Sequence, residues 1–332
     1  MRVAVVGAGS WGTALAIHLA RVGCEVSLWA HEEEVVEGIR GARRNPLFLS
    51  DFTIPEQVVV TGELAAAVAG ARAIVFVVPV QFAREVLRDL RPHLPADAVL
   101  VSASKGIEVA SLSRMDELVR AELGLPEGAF AALSGPSFAR EVAVGLPTAA
   151  VLAGTDATAL RELQEAFSDK SFRFYTASDV VGVELAGALK NVIAIAAGMA
   201  TGLELGLNAL AALLTRGLHE IARLGVRLGG REETFRGLAG MGDLVLTCTG
   251  ALSRNRSVGE RLGRGEPLER ILAGREVAEG VPTARAAAEL ARRHGIEMPI
   301  TFVVESILAG KISPRAAVPA LMTRTLKEEA LL

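Results

Sequence analysis

The passage from Val3-Ala4-Val5-Val6 into Gly7-Ala8-Gly9-Ser10-Trp11-Gly12 constrains this chain more than any other feature. A G-x-G-x-x-G match alone is weak, and its context decides it. Here the first glycine follows an apolar strand, the third opens a helical run Thr13–Arg21, and Gly23 closes that helix before a second strand begins at Glu25. Strand, tight turn, helix and strand within about thirty residues form the unit that binds dinucleotides. Gly7 permits the turn, Gly9 lets backbone approach a pyrophosphate, and Gly12 lets helix pack on strand. The free N–H groups of the first helical turn then face the anion.

The pattern continues to about Thr176, with strands expected at Arg2–Val6, Glu25–Trp29, Ala73–Val78, Ala98–Ser102, Phe130–Leu133, Ala149–Ala153 and Ser171–Phe174. Most are consecutively apolar, as in parallel strands covered on both faces. Beyond Ser178 apolar residues recur at helical spacing, as in Val183, Leu185, Leu189 and Ile193. The expected fold class is α/β: an N-terminal Rossmann-type dinucleotide-binding domain over 1–178 and an all-α substrate and catalytic domain over 179–332. The longest weakly polar stretch, Val192–Leu203, is about a dozen residues, below the roughly 18 that cross hydrocarbon. It reads as a buried helix, with no membrane span.

Net charge is −3 from 35 basic and 38 acidic residues, so no global positive field gathers nucleic acid or anionic lipid. Cys24 and Cys248 make no disulfide framework and no metal-ligand spacing. No secretion leader is evident at the N-terminus, and a cytoplasmic setting is expected.

A carboxylate at the end of the second strand would grip ribose hydroxyls in an NAD-selective site. The strand instead ends Leu28-Trp29-Ala30-His31, and Glu32, Glu33 and Glu34 come late, where they also suit the first turn of a helix. His31, with Arg43 and Arg44, offers positive charge for a 2′-phosphate, so NADP is expected to be accepted alongside NAD.

Only five lysines stand against thirty arginines. Lys105 follows the strand Val99–Ser102 at the edge where ligands collect, although a surface lysine suits that position too. Ser134-Gly135-Pro136-Ser137 follows the next strand and reads equally as a structural turn. Lys190 has Ala186, Gly187, Ile193 and Ala194 as helical neighbours, so its ammonium must snorkel, pair with a carboxylate or titrate low. Asp243, after Gly240-Met241-Gly242, either caps a helix or supplies that counter-charge. Arg254 and Asn255 provide a guanidinium fork and an amide suited to phosphate.

Taken in order, Gly7–Gly12, Ser104-Lys105-Gly106, Ser134–Ser137, Leu189-Lys190-Asn191, Gly242-Asp243-Leu244 and Ser253-Arg254-Asn255 resemble the motifs of the bacterial biosynthetic type of NAD(P)-dependent glycerol-3-phosphate dehydrogenase. The resemblance implies reversible hydride transfer between NAD(P)H and dihydroxyacetone phosphate, giving sn-glycerol 3-phosphate for phospholipid synthesis. It implies Lys190 as proton donor and acceptor, with Asp243, Lys105 and Thr247 completing the catalytic group. Lys105, Gly135, Ser137, Lys190, Asp243, Ser253, Arg254 and Asn255 would surround the triose phosphate. Ser10, Trp11, His31, Lys105, Ala139, Arg254, Val277 and Glu279 would contact the dinucleotide, beside the glycines 7, 9 and 12. Trp11 departs from other aromatic or different residues common there. Two other readings are a β-hydroxyacid dehydrogenase and a dinucleotide-sensing module without turnover. The apolar helical half makes a homodimer plausible.

Overall fold

The computed structural model describes residues 1–274, 277–323 and 328, the side chain of Glu127 apart. The chain forms two compact units: residues 1–104 with 115–180, and residues 105–114 with 181–332. Two linear blocks divided at 178 do not contain the excursion of 105–114 into the second unit.

The first unit is built on β1 (Arg2–Val6), β2 (Glu25–Trp29), β3 (Val58–Thr61), β4 (Ala73–Phe76), β5 (Val99–Ser102), β6 (Phe130–Ser134), β7 (Thr148–Gly154) and β8 (Phe172–Ala177). Its helices are α1 (Ser10–Arg21), α2 (Glu33–Ala42), α3 (Leu64–Val68), α4 (Val80–Leu90), α5 (Met115–Leu123), α6 (Ala139–Val144) and α7 (Ala157–Phe167). The strands make one sheet in the order β3-β2-β1-β4-β5-β6-β7-β8. The first six have the doubly wound order with its reversal beside β1, where such sheets bind dinucleotides. Val3 to Val6 are fully buried, because helices cover both faces.

Apart from shifts of up to about three residues at strand ends, where pairing rather than apolar pattern sets the limit, two features depart from the expected strands. Val58–Thr61 is an additional edge strand, paired parallel with β2 and presenting Val59 to solvent. The sheet is not wholly parallel, since β7 runs antiparallel to β6. The intervening stretch 135–147 holds only the six-residue α6 and re-enters beside the end at which β6 stopped.

The second unit comprises α8 (Val180–Gly202), α9 (Gly206–Arg227), α10 (Glu232–Arg236), α11 (Asp243–Thr249), α12 (Arg254–Gly263), α13 (Leu268–Leu272), α14 (Gly280–Arg293), α15 (Pro299–Leu308) and α16 (Pro314–Met322). Helix α8 exceeds the expected Val192–Leu203 because Lys190 and Asn191, which interrupt the apolar run, lie inside it. It is long and apolar enough to cross a membrane, yet 83% of its apolar window is buried within the fold. It is the core helix of this unit.

Helix α12 packs on α8 backbone to backbone. A Cβ at Gly259 would stand 1.9 Å from the Ile195 carbonyl oxygen, and one at Gly198 2.0 Å from that of Arg256. Gly202 and Gly263 repeat the arrangement one turn on. This seam of four glycines fixes the register of α12, and so of Ser253, Arg254 and Asn255 at its start, against the helix that carries Lys190.

Candidate active site

In the first unit the glycine loop leaves β1 and enters α1. Gly7 takes φ +114°, a conformation costly for other residues, and lies against the end of β4. A Cβ at Gly12 would fall 1.8 Å from the Gly7 carbonyl, whereas one at Gly9 meets nothing within 4 Å. Gly9 caps α1 without any side-chain acceptor, and no acid stands in the first turn. The Ser10 end of the helix thus has no side-chain cap for its first N–H donors, and the buried Trp11 Nε1 has no hydrogen-bond partner among the described residues. These features fit a dinucleotide's pyrophosphate.

His31 is exposed just beyond β2, its ring centroid 6.0 Å from that of Trp29. Arg43 is not available for a 2′-phosphate, because its guanidinium donates to the carbonyls of Ile54, Pro55 and Val58. Arg44 is exposed and, among the described residues, reaches only the Ser50 carbonyl, at 3.4 Å. Gly135, at φ +143°, brings backbone against Ala150 of β7, where a Cβ would come within 2.9 Å of the Ala150 Cα. The Ser137 hydroxyl donates back to its carbonyl at 2.9 Å, and Ala139 opens α6.

The second unit assembles three distant segments around one carboxylate. Lys190 Nζ donates to Asp243 Oδ1 at 2.5 Å and to Thr247 Oγ1 at 2.7 Å. Lys105 Nζ donates to the other oxygen, Asp243 Oδ2, at 2.8 Å. Thr247 Oγ1 in turn donates to Asp243 Oδ1 at 3.2 Å. Asp243 and Thr247 share a face because they lie four residues apart on α11. The helix starts there after a π-helical turn, Leu238–Gly242, in which Gly240 packs against the Phe235 carbonyl. A Cβ at Gly240 would collide with the Phe235 carbonyl, so this glycine permits the turn that leads into Asp243.

The lysine side chain is 8% exposed and the aspartate 2%. Burial drives the Lys190 pKa down, against the pull of Asp243 and with the help of Lys105, to about 8. Burial opposes ionisation of Asp243, yet the ammoniums of Lys105 and Lys190 outweigh it and hold the carboxyl below its usual range. An ammonium has three N–H groups. Two of those on Lys190 are engaged, which leaves one for an incoming oxygen. Cys248 is buried beside this group, its thiol pushed up to about 12 chiefly by burial, and so stays protonated.

At the start of α12, Ser253 Oγ accepts the Arg256 N–H, which makes it the helix cap. Arg254 is exposed and has no ion pair among the described residues. Asn255 Oδ1 accepts the Gly280 N–H at 2.9 Å, which turns its NH₂ away from that contact. A Cβ at Gly280 would lie within 3 Å of both Asn255 Oδ1 and the Asn191 carbonyl, so the Asn255 amide sits beside the Lys190-Asn191 segment. Glu279 stands at the N-cap position of α14 without a side-chain cap bond, while Val277 is exposed and Ala278 buried. Asn45, unremarked in the sequence, is fully buried and bonded to the glycine loop. No periodicity marks such a residue, and only its place in an Arg-Asn-Pro loop hints at a turn.

A doubly wound sheet with a bare glycine loop, together with a helical unit holding a buried lysine of lowered pKa, defines the class of nicotinamide-dinucleotide-dependent dehydrogenases. Residues 2–160 match the N-terminal and residues 179–319 the C-terminal domain of NAD-dependent glycerol-3-phosphate dehydrogenase. The chain belongs to that family. It is 52% identical to glycerol-3-phosphate dehydrogenase [NAD(P)+] of Syntrophotalea carbinolica over 99% of both chains. With the enzyme of that name from Geobacter sulfurreducens it shares 54% identity over 99% of this chain and 98% of the relative. The crystal structure of glycerol-3-phosphate dehydrogenase from Coxiella burnetii superposes with a TM-score of 0.93 at 42% identity, covering 97% of this chain and 99% of that one.

Proposed function

We propose that this chain catalyses the reversible NAD(P)-dependent interconversion of dihydroxyacetone phosphate and sn-glycerol 3-phosphate, with Lys190 as the proton donor and acceptor. The observation that carries this reading is the Lys190 ammonium, held by Asp243 and Thr247 and titrating at about 8. The nicotinamide, when bound, supplies or accepts the hydride. As C2 of the ketone is reduced, negative charge develops on its oxygen. The remaining N–H of Lys190 stabilises that charge and then delivers its proton to the oxygen, leaving a neutral amine. In the oxidative direction the neutral amine takes the hydroxyl proton back.

Asp243 holds the lysine in place, while Lys105 on its second oxygen keeps the Lys190 pKa near the working range. Two ammoniums against one carboxylate leave net positive charge for an anionic substrate. Arg254 and the Asn255 NH₂ suit the phosphate, and fixing it turns remote binding energy into alignment at C2. Ser253, Gly135 and Ser137 complete the proposed substrate contacts. Ser10, Trp11, His31, Ala139, Val277 and Glu279 complete those to the dinucleotide, with the glycine loop seating its pyrophosphate.

Mixing the protein with NADH or NADPH and dihydroxyacetone phosphate tests this directly. Absorbance of the reduced nicotinamide is expected to decay, and to do so far more slowly with unphosphorylated dihydroxyacetone. No decay with either cofactor would sink the proposal. NADPH is expected to bind, and an affinity more than about a hundredfold below that of NADH would remove His31 from 2′-phosphate recognition. We further infer a homodimer, supported by the exposed Leu205 and Leu207 at the start of α9 and testable by sedimentation. A cytoplasmic role supplying phospholipid synthesis is the physiological setting this activity suits.

A further inference from the structure

The glycine loop is held from beneath by a side chain far along the sequence. Asn45 follows the left-handed cap of α2 at Arg43 and is fully buried. Its Nδ2 donates to the Ala8 carbonyl at 2.8 Å and to Thr13 Oγ1 at 2.9 Å. Its Oδ1 accepts the N–H groups of Leu47 and Phe48 at 3.1 and 3.0 Å. Every polar position of the carboxamide is therefore engaged, and the amide has one orientation, because only an acceptor can face two N–H groups. Thr13 Oγ1 adds a second donor to the Ala8 carbonyl at 3.2 Å.

The consequence lies on the other side of one peptide plane. In a trans peptide the C=O and the following N–H point in opposite directions. Holding the Ala8 carbonyl toward Asn45 and Thr13 directs the Gly9 N–H away from them, at a residue where even an added Cβ would meet nothing within 4 Å. That N–H has no acceptor among the described residues. Without the two donors, rotation of the Ala8-Gly9 peptide would aim a carbonyl oxygen at an incoming anion.

We propose that Asn45, seconded by Thr13, is a positioning residue for dinucleotide binding: it presets the peptide that presents the Gly9 N–H to the pyrophosphate without touching the cofactor itself. This rests on the dinucleotide reading of the loop. A donor fixed before binding costs no ordering when the ligand arrives.

Asn45→Asp is nearly isosteric. It keeps the acceptor for Leu47 and Phe48 but sets a carboxylate oxygen against the Ala8 carbonyl. The dissociation constant for NADH, measured by titration calorimetry at about pH 8, is expected to rise by about tenfold or more. The turnover number at saturating cofactor and the Michaelis constant for dihydroxyacetone phosphate are expected to stay within about threefold of wild type, a split that general loosening of the fold does not produce. Affinity should recover as pH falls and the carboxyl regains a proton to donate, a trend the wild type lacks. Thr13→Val should weaken NADH by a smaller factor and Thr13→Ser restore it, which keeps the test available if Asn45→Asp does not fold. NADH affinity within twofold of wild type in both Asn45→Asp and Thr13→Val overturns the proposal. A wild type that binds no NADH removes the dinucleotide reading itself, and this proposal with it.

Discussion

The two sites of this molecule are made of different material. In the first unit the proposed anion seat is backbone: Gly7, Gly9 and Gly12 contribute no side chains, and a single turn of sequence contains nearly all of it. In the second unit the proposed proton site is side chain: Lys190, Thr247 and Lys105 converge on the Asp243 carboxylate from three segments. A backbone site is specified by the absence of Cβ atoms and is robust to what else the loop carries. A side-chain site depends on each functional group and on the packing that brings its segments together.

Truncation should separate the two most sharply. Lys190→Ala is expected to lower turnover by at least about a hundredfold while NADH affinity barely changes. Near-wild-type turnover would take Lys190 out of the mechanism. Within the loop the order of sensitivity should reverse. Gly12→Ala, whose Cβ would collide with the Gly7 carbonyl, is expected to weaken NADH by more than about tenfold, and Ser10→Ala by less than about threefold. Equal losses in a titration of the two variants would contradict a seat made of backbone.

The pH profile sharpens the contrast, because the loop has no titrating group to contribute. If Lys190, with its pKa of about 8, is the proposed acid and base, reduction should slow as pH rises through that value and oxidation should quicken. Initial rates measured in both directions that moved together with pH would argue against this single acid and base. Arg254→Ala should raise the Michaelis constant for dihydroxyacetone phosphate by about tenfold with a smaller effect on turnover. An unchanged constant would mean that the phosphate is held elsewhere.

The smallest effect is expected away from both sites. Glu220, buried in α9, accepts the N–H groups of Ile300 and Thr301 at the start of α15, and burial raises its pKa to about 7. It serves α15 as a cap from another helix. Glu220→Ala should cost about 1–2 kcal/mol in denaturant unfolding and leave NADH affinity unchanged.

Legibility in the sequence followed the same division. Strands β1 and β2 match the expected bounds, β1 because a parallel strand buried on both faces is consecutively apolar and β2 because Gly23 ends the preceding helix, whereas α1 begins at Ser10, inside the glycine motif and ahead of the expected Thr13. Edge strand β3 is absent from the expected strands although Val58-Val59-Val60 is β-branched, since its apolar run is only three residues long. The reversal at β7 was also invisible. The apolar pattern of a strand does not record its direction, and a short connection decides it. Arg43 was misjudged as free charge because nothing in its neighbours announces the three carbonyls that consume it.

By itself the sequence determined what each segment needed: a turn without side chains after β1, helices with apolar faces, and an ammonium in surroundings that do not solvate it. Those needs are local, arising from sterics and hydration at single positions. The tertiary structure alone decided how they are met. It set Asp243 against Lys190, where the sequence left it as either a helix cap or a counter-charge, brought Lys105 onto the same group, and set Asn45 beneath the glycine loop. Such pairings join residues 32 to 138 positions apart. A hydrogen bond forms only where packing has already fixed both ends, and packing is a property of the whole unit rather than of any one segment.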